Sequence, residues 1–225
     1  MESNTAWRKA YRLPTEADTA VLDSLPIDIE VPTEQMQRNS AGGDTFSWGV
    51  NTWGQMFSPR QLLALHTLVE ELHTLKEELN AYQSEYGKAI VTFLGVLVDR
   101  VAMNQTSFGR WHNKGEKLEH PFARQAIPMM FDYPEGYIFS NSTGSANNHL
   151  AWITRYIEEE APISFPTTLQ NASSGDKSQF EAKSLTAVVT DPPYYDAIAY
   201  ADLSDFFYVW LKRTLGDVYP LNFAI

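Results

Sequence analysis

Across residues 58–103 the apolar side chains recur at helical spacing, and this pattern constrains the architecture more tightly than any other stretch of the chain. Ser58-Pro59 reads as an N-cap followed by the first helical residue: a hydroxyl satisfies an orphaned N–H there, and proline loses nothing at a position whose N–H is unpaired anyway. Leu62, Leu65, Leu68, Val69, Leu72, Leu75 and Leu79 then repeat at spacings of three and four, which defines one apolar face. Residues 83–86 interrupt the pattern, and a second helix is expected over residues 87–103, with Ile90, Phe93, Leu94, Leu97 and Val101 buried. The two should pack as an antiparallel hairpin. His66, Glu70 and His73 share a face of the first helix, but no further ligands stand at matching positions. Ordinary polar residues on a helix surface are the simpler account, and no metal is expected.

Composition narrows the class. The chain has 225 residues, 44% of them hydrophobic, no cysteine and a net charge of −11. These values fit a globular protein with no thiolate metal site. No apolar run reaches membrane-spanning length and the first residues are polar, so a cytoplasmic protein is expected. An acidic protein that touches nucleic acid must concentrate its positive charge locally. One stretch does so: Arg110, Lys114, Lys117 and Arg124 stand against Glu116 and Glu119, interleaved with Trp111, His112, His120 and Phe122. Cations mixed with aromatics suit a surface that follows a phosphate backbone and stacks bases. A solvated connection between helices explains the same residues.

The flanks read differently. Residues 1–45 are polar, acidic and proline-containing, and are expected to form an irregular arm. A mainly helical unit is expected over residues 46–160. Residues 140–148 read as a loop capping a helix over residues 149–159, whose N-terminus could receive a phosphate. A helix is expected over residues 199–214, ending near Gly216.

Leu185-Thr186-Ala187-Val188-Val189-Thr190 reads as a buried strand, followed at once by Asp191-Pro192-Pro193-Tyr194. A carboxylate, two rigid residues and an aromatic ring at the carboxyl end of a sheet strand lie where ligands bind in open α/β sheets. An exocyclic amine on a base is a poor nucleophile because its lone pair is delocalised into the ring. A carboxylate on one N–H and a carbonyl on the other favour the pyramidal nitrogen. Asp191 supplies the first, and the Pro192 carbonyl can supply the second because Pro193 has no N–H and both prolines fix φ. Tyr194 can stack on a base that has left the duplex, worth roughly 1–3 kcal/mol. A plain strand-ending turn accounts for the four residues alone.

Thr190-Asp191-Pro192-Pro193-Tyr194-Tyr195-Asp196 and the apolar stretch 200–213 resemble the AdoMet-dependent adenine-specific DNA methylases that carry an inserted Zn-ribbon. So do Met56-Phe57-Ser58-Pro59-Arg60, Arg110-Trp111-His112, Phe122-Ala123-Arg124-Gln125-Ala126 and Asn141-Ser142-Thr143-Gly144, in the same order, so that the likeness covers about residues 46–220. The resemblance implies an α/β fold: a partial Rossmann-like class I methyltransferase sheet over residues 161–225, with the helical unit inserted or appended. It implies S-adenosyl-L-methionine as cofactor, DNA as partner, and N6 methylation of a flipped adenine. Asp191, Pro192, Pro193 and Tyr194 would be the catalytic residues and Tyr195, Asp196 and Tyr200 would shape the base pocket. A short strand within residues 162–170 would precede the motif strand, Asn171, Ala172 and Ser173 in the turn after it would lie beside the cofactor, and Arg110, Trp111, His112, Lys114, Lys117 and Arg124 would contact DNA.

Two departures stand out. No glycine sits in a strand-to-helix turn of the kind that cradles AdoMet, and without cysteine there is no Zn-ribbon. The expectation is therefore a later portion of a methyltransferase, with the cofactor half supplied by another polypeptide or lost. N4-cytosine methylation uses the same four residues. A non-catalytic subunit that binds a protein partner or DNA is the alternative from another class; glutamine methylation fits less well, because related sites there begin with Asn.

Overall fold

The computed structural model describes residues 10–25, 29–37, 45–124, 126–163, 165–170, 172–176, 179–195 and 197–224. They fold into helices and one small antiparallel sheet. In chain order these are α1 (Glu16–Asp23), α2 (Pro59–Glu78), α3 (Glu85–Asn104), β1 (Arg110–His112), β2 (Lys117–Glu119), α4 (Ala146–Glu160) and α5 (Tyr200–Leu215).

α2 begins as its sequence dictates. The Ser58 hydroxyl accepts from the Gln61 N–H at 3.3 Å, and the Gln61 side chain accepts from the Ser58 N–H at 2.8 Å. This reciprocal capping box satisfies two otherwise orphaned donors. Leu65, Val69 and Leu72 are buried, while Leu62, Leu68, Leu75 and Leu79 pack at the edge of the core.

α3 pairs with α2, and of the face expected to be buried Val101 is fully buried and Leu94 and Leu97 pack on the core, but the most buried stripe is shifted from it. Gly87, Val91, Gly95, Val98 and Ala102 lie inward and Phe93 is 36% exposed. Small residues are the cause. A Cβ on Gly95 would stand 2.8 Å from Leu215 Cγ, so the end of α5 occupies the space a side chain would need. A Cβ on Gly87 would meet the Leu79 carbonyl at 2.4 Å, which closes the link between α2 and α3 tightly. Selecting only the large apolar residues picks a neighbouring stripe.

α5 packs on α3 and α2 through Phe206, Val209, Trp210 and Leu215. An aromatic cluster locks it in place: Phe206 stacks on Phe57 at 5.9 Å and meets Phe122 edge-on at 5.1 Å, and Trp210 meets Phe57 edge-on at 5.3 Å. Each such contact adds about 0.5–1.5 kcal/mol beyond the area it buries. Gly216 ends the helix in right-handed geometry, not as a left-handed cap. Residues 217–223 then fold back on the helices, with the Tyr219 hydroxyl 2.7 Å from that of Thr92.

Beneath this turn lies a buried cation. Lys76 is fully buried and its Nζ lies 2.6 Å from Asp217 Oδ1, while Tyr82 donates to Asp217 Oδ2 at 2.9 Å. Burial alone would raise the Asp217 pKa, but the hydrogen bonds from Lys76 and Tyr82 outweigh it and the pKa is lowered. His73 Nε2–H donates to the Arg213 carbonyl at 3.0 Å, and its Nδ1 accepts from Lys76 Nζ at 3.3 Å. His66 lies 3.8 Å from Glu70, and no metal-binding cluster occurs among the described residues.

The acidic arm is in part a strap. α1 buries no residue, but residues 29–37 run along the body: Gly54 N–H donates to the Pro32 carbonyl, Trp53 N–H to that of Glu34, and Met36 N–H to that of Asn51. Arg213 adds a bidentate pair with Glu34 at 2.7 and 3.1 Å. Among the described residues no helix is long and apolar enough to cross a membrane.

Residues 165–170 and 185–190, expected as strands, have no regular structure and every one is exposed. A strand must exchange hydrogen bonds with a neighbour, and an isolated one is not stable in water. Among the described residues the sheet consists of β1 and β2 alone.

Candidate functional site

Asp191-Pro192-Pro193-Tyr194 stands in an exposed loop that leads into α5. The loop and the helix of the expected arrangement are present, whereas the preceding strand is not. Among the described residues no hydrogen bond or ion pair engages the Asp191 carboxylate or the Tyr194 hydroxyl. The Tyr194 ring is 69% exposed. Its carbonyl accepts from the Ala197 N–H at 3.0 Å, which closes a turn immediately ahead of the helix. Tyr195 occupies that turn at φ 51°, a left-handed value that costs a non-glycine residue roughly 1–2 kcal/mol. Its ring projects into solvent. Tyr200 opens α5 and is also exposed, and Asp202 in the first turn suits the positive end of the helix dipole. Asp196 lies outside the described residues.

The residues expected beside a cofactor make no pocket of their own. Asn171 lies outside the described residues. Ala172 and Ser173 are exposed, and Ser173 closes a turn on itself: its carbonyl accepts from the Asp176 N–H and its hydroxyl from the Gly175 N–H. Nothing in this turn encloses a nucleoside.

The basic-aromatic stretch does form a structure. β1 pairs with β2 antiparallel, Arg110 opposite Glu119 and Trp111 opposite Leu118. The Arg110 guanidinium grips Glu119 from Nε at 2.7 Å, and His112 Nδ1 accepts from the Gly115 N–H at 2.9 Å to close the hairpin loop. His112 is therefore spent on the turn. Lys114 and Lys117 are exposed; Pro121–Arg124 forms a single 3₁₀ turn, and the Arg124 side chain lies outside the described residues.

The hairpin borders a cleft of about 380 Å³ that also takes residues from α3 and α4. Arg100, Asn104, Arg110, Lys117, His120 and His149 are among its lining. Arg100, Asn104 and His149 carry no sequence signal of their own, since the contacts that group them span some 45 residues. The signal that was available is the start of α4. Ser145 caps it by accepting from the Asn148 N–H at 3.1 Å, so that the helix begins at Ala146 and His149 falls in its first turn.

Comparison with models of protein families, with curated proteins and with solved structures gave no match to this chain.

Proposed function

We propose that this chain carries the target-base site of an AdoMet-dependent DNA methyltransferase that acts on the N6 amine of a flipped adenine. The observation that carries this reading is the unpaired carboxylate of Asp191 beside the open ring of Tyr194, directly ahead of α5. Asp191 accepts one amino N–H of the base, the Pro192 carbonyl accepts the other, and the Tyr194 ring stacks on its face. Tyr195 and Tyr200 stand close enough in sequence to wall the base on either side.

In this reading residues 165–170 and 185–190 become strands of a Rossmann-like sheet when a second body pairs with them. AdoMet supplies the methyl group. Residues 172–176 do not fit a nucleoside by themselves, so the surface that holds the cofactor comes from that second body. The expected result for Asp191→Ala in any active form of the enzyme is loss of methyl transfer to DNA, read from radiolabelled AdoMet. Full activity in that variant would falsify the site. Nucleoside analysis of the product separates N6-methyladenine from N4-methylcytosine.

A non-catalytic subunit is the second reading. Exposed Val188 and Val189 in a chain of net charge −11 favour a protein partner over DNA. Calorimetric titration of AdoMet into the isolated chain is expected to show no binding under either reading. Addition of a co-purifying polypeptide that restores both AdoMet binding and transfer selects the first.

A further inference from the structure

His149, which lines the cleft between α3, the β1–β2 hairpin and the first turn of α4, carries a buried ring N–H with nothing to donate to. His149 is 5% exposed. The Asn104 side-chain nitrogen donates to the Arg100 carbonyl at 3.0 Å, which fixes the orientation of the amide, because its oxygen could not make that bond. The same nitrogen lies 3.0 Å from His149 Nε2, so Nε2 is an acceptor and carries no proton. The neutral ring must then carry its hydrogen on Nδ1. That atom is buried and has no partner. An unpaired buried donor costs about 1–3 kcal/mol. Burial, reinforced by Arg100, pulls the His149 pKa down to about 4, so the ring stays neutral at physiological pH.

The lining is basic in a strongly acidic protein. Arg100, Arg110 and Lys117 face Glu119 as the single carboxylate, and Glu119 is already held by Arg110. Neither Arg100 nor Lys117 forms an ion pair among the described residues. His120, on the same wall, also has a buried Nδ1 with no partner. The N-terminal end of α4 adds the positive pole of a 15-residue helix. Gly144, at φ +88°, lets the preceding loop approach Asn104, where a Cβ would stand 3.3 Å from the Asn104 side chain. Trp152 closes one side, 59% exposed, with Arg155 over its ring at 5.7 Å. The volume of about 380 Å³ falls in the range of small-ligand sites.

We propose that this cleft binds a phosphate group, with the His149 Nδ1–H as its buried donor and Arg100 and Lys117 as its neutralising cations. A phosphate oxygen satisfies the orphaned donor without any change of protonation, while the two exposed cations close over the remaining oxygens. The aromatic wall at Trp152 fits a phosphate carried on a nucleotide. This does not depend on the methylation reading, because phosphate binding is measured without any transfer.

The test is a titration of the full chain with inorganic phosphate and, separately, with a short single-stranded oligonucleotide, followed by the ring nitrogen signals of its histidines in NMR. Saturable movement of the His149 Nδ1 signal is expected. Movement with both probes assigns a site for the free ion, and movement with the oligonucleotide alone assigns the phosphate to nucleic acid. Arg100→Gln and Lys117→Gln, both at exposed positions, should each weaken binding about tenfold, as loss of a hydrogen bond to a charged group predicts. His149→Phe should abolish phosphate binding as read by calorimetric titration; should that variant fail to fold, the Arg100 and Lys117 variants carry the test. No movement of the His149 signal at millimolar concentrations of either probe, or unchanged affinity in both glutamine variants, overturns the proposal.

Discussion

Two regions of the chain contrast sharply, the helical body and the segment that bears the Asp-Pro-Pro-Tyr motif. In the body, Val69 is 8% exposed and Val98 3%; in the segment, Val188 is 72% exposed and Val189 94%. The residue type is the same and the surroundings are not. The body satisfies its own backbone through capped helices, whereas residues 185–190 read as strand and pair with no strand among the described residues. Apolar burial of a valine contributes about 1.5–3 kcal/mol, and the segment forgoes it at every position. Local sequence can therefore specify a helix by itself, but it can only specify a strand jointly with a partner.

The largest effect should come from a buried carboxyl in the body. Asp99 in α3 is 6% exposed with one oxygen lacking any partner, and burial pushes its pKa up to about 8. A carboxyl whose folded pKa is raised contributes stability that is fully present below the unfolded value near 4. That contribution is lost as pH rises toward 8, at up to about 1.4 kcal/mol per pH unit. Asp99→Asn removes the slope, so the variant should gain most over the parent at pH 8. Parallel stability curves for the two proteins from pH 4 to 8 would contradict the burial of this group.

Next in size is the Lys76–Asp217 pair, which ties α2 to the turn after α5. Asp217→Ala leaves Lys76 buried and uncompensated. About 3 kcal/mol should be lost in urea unfolding, at the low end for a buried pair because the Asp217 side chain is 37% exposed. Lys76→Met in the Asp217→Ala background should recover much of it, since removing both charges removes the desolvation cost. The third is Gly95→Ala, expected to cost about 2 kcal/mol by forcing Leu215 away, against less than about 0.5 for Phe93→Ala. Equal costs at the two positions would restore the stripe expected from large apolar residues.

These sites also mark what was readable in the sequence. α2 was legible because its cap and its leucines are local signals that agree. α3 was legible as a helix and in part of its facing, at Leu94, Leu97 and Val101, but not where Gly87 and Gly95 are buried for what they leave out, because hydrophobic periodicity counts only what is present. The strap at residues 29–37 could not be read, since its backbone partners at residues 51–54 are set by tertiary placement. In the candidate site the motif residues were visible as a run. The Arg100, Asn104 and His149 grouping was not, because it exists only once α3 and α4 have packed.

The smallest expected effect tests the segment itself. Val188→Ser combined with Val189→Ser should leave the unfolding free energy of the isolated chain unchanged within about 0.5 kcal/mol, and so its melting temperature essentially unmoved, because neither side chain is buried. The same double change in the body, at Val69 and Val98, removes two core contacts and should unfold a large fraction of the protein. A fall in melting temperature from the segment variant would mean that residues 185–190 already pack on the body, and the contrast between the two regions would disappear. An unchanged temperature together with loss of binding to a co-purified partner would place the cost where the proposed sheet forms, at the moment the second body supplies the missing strands.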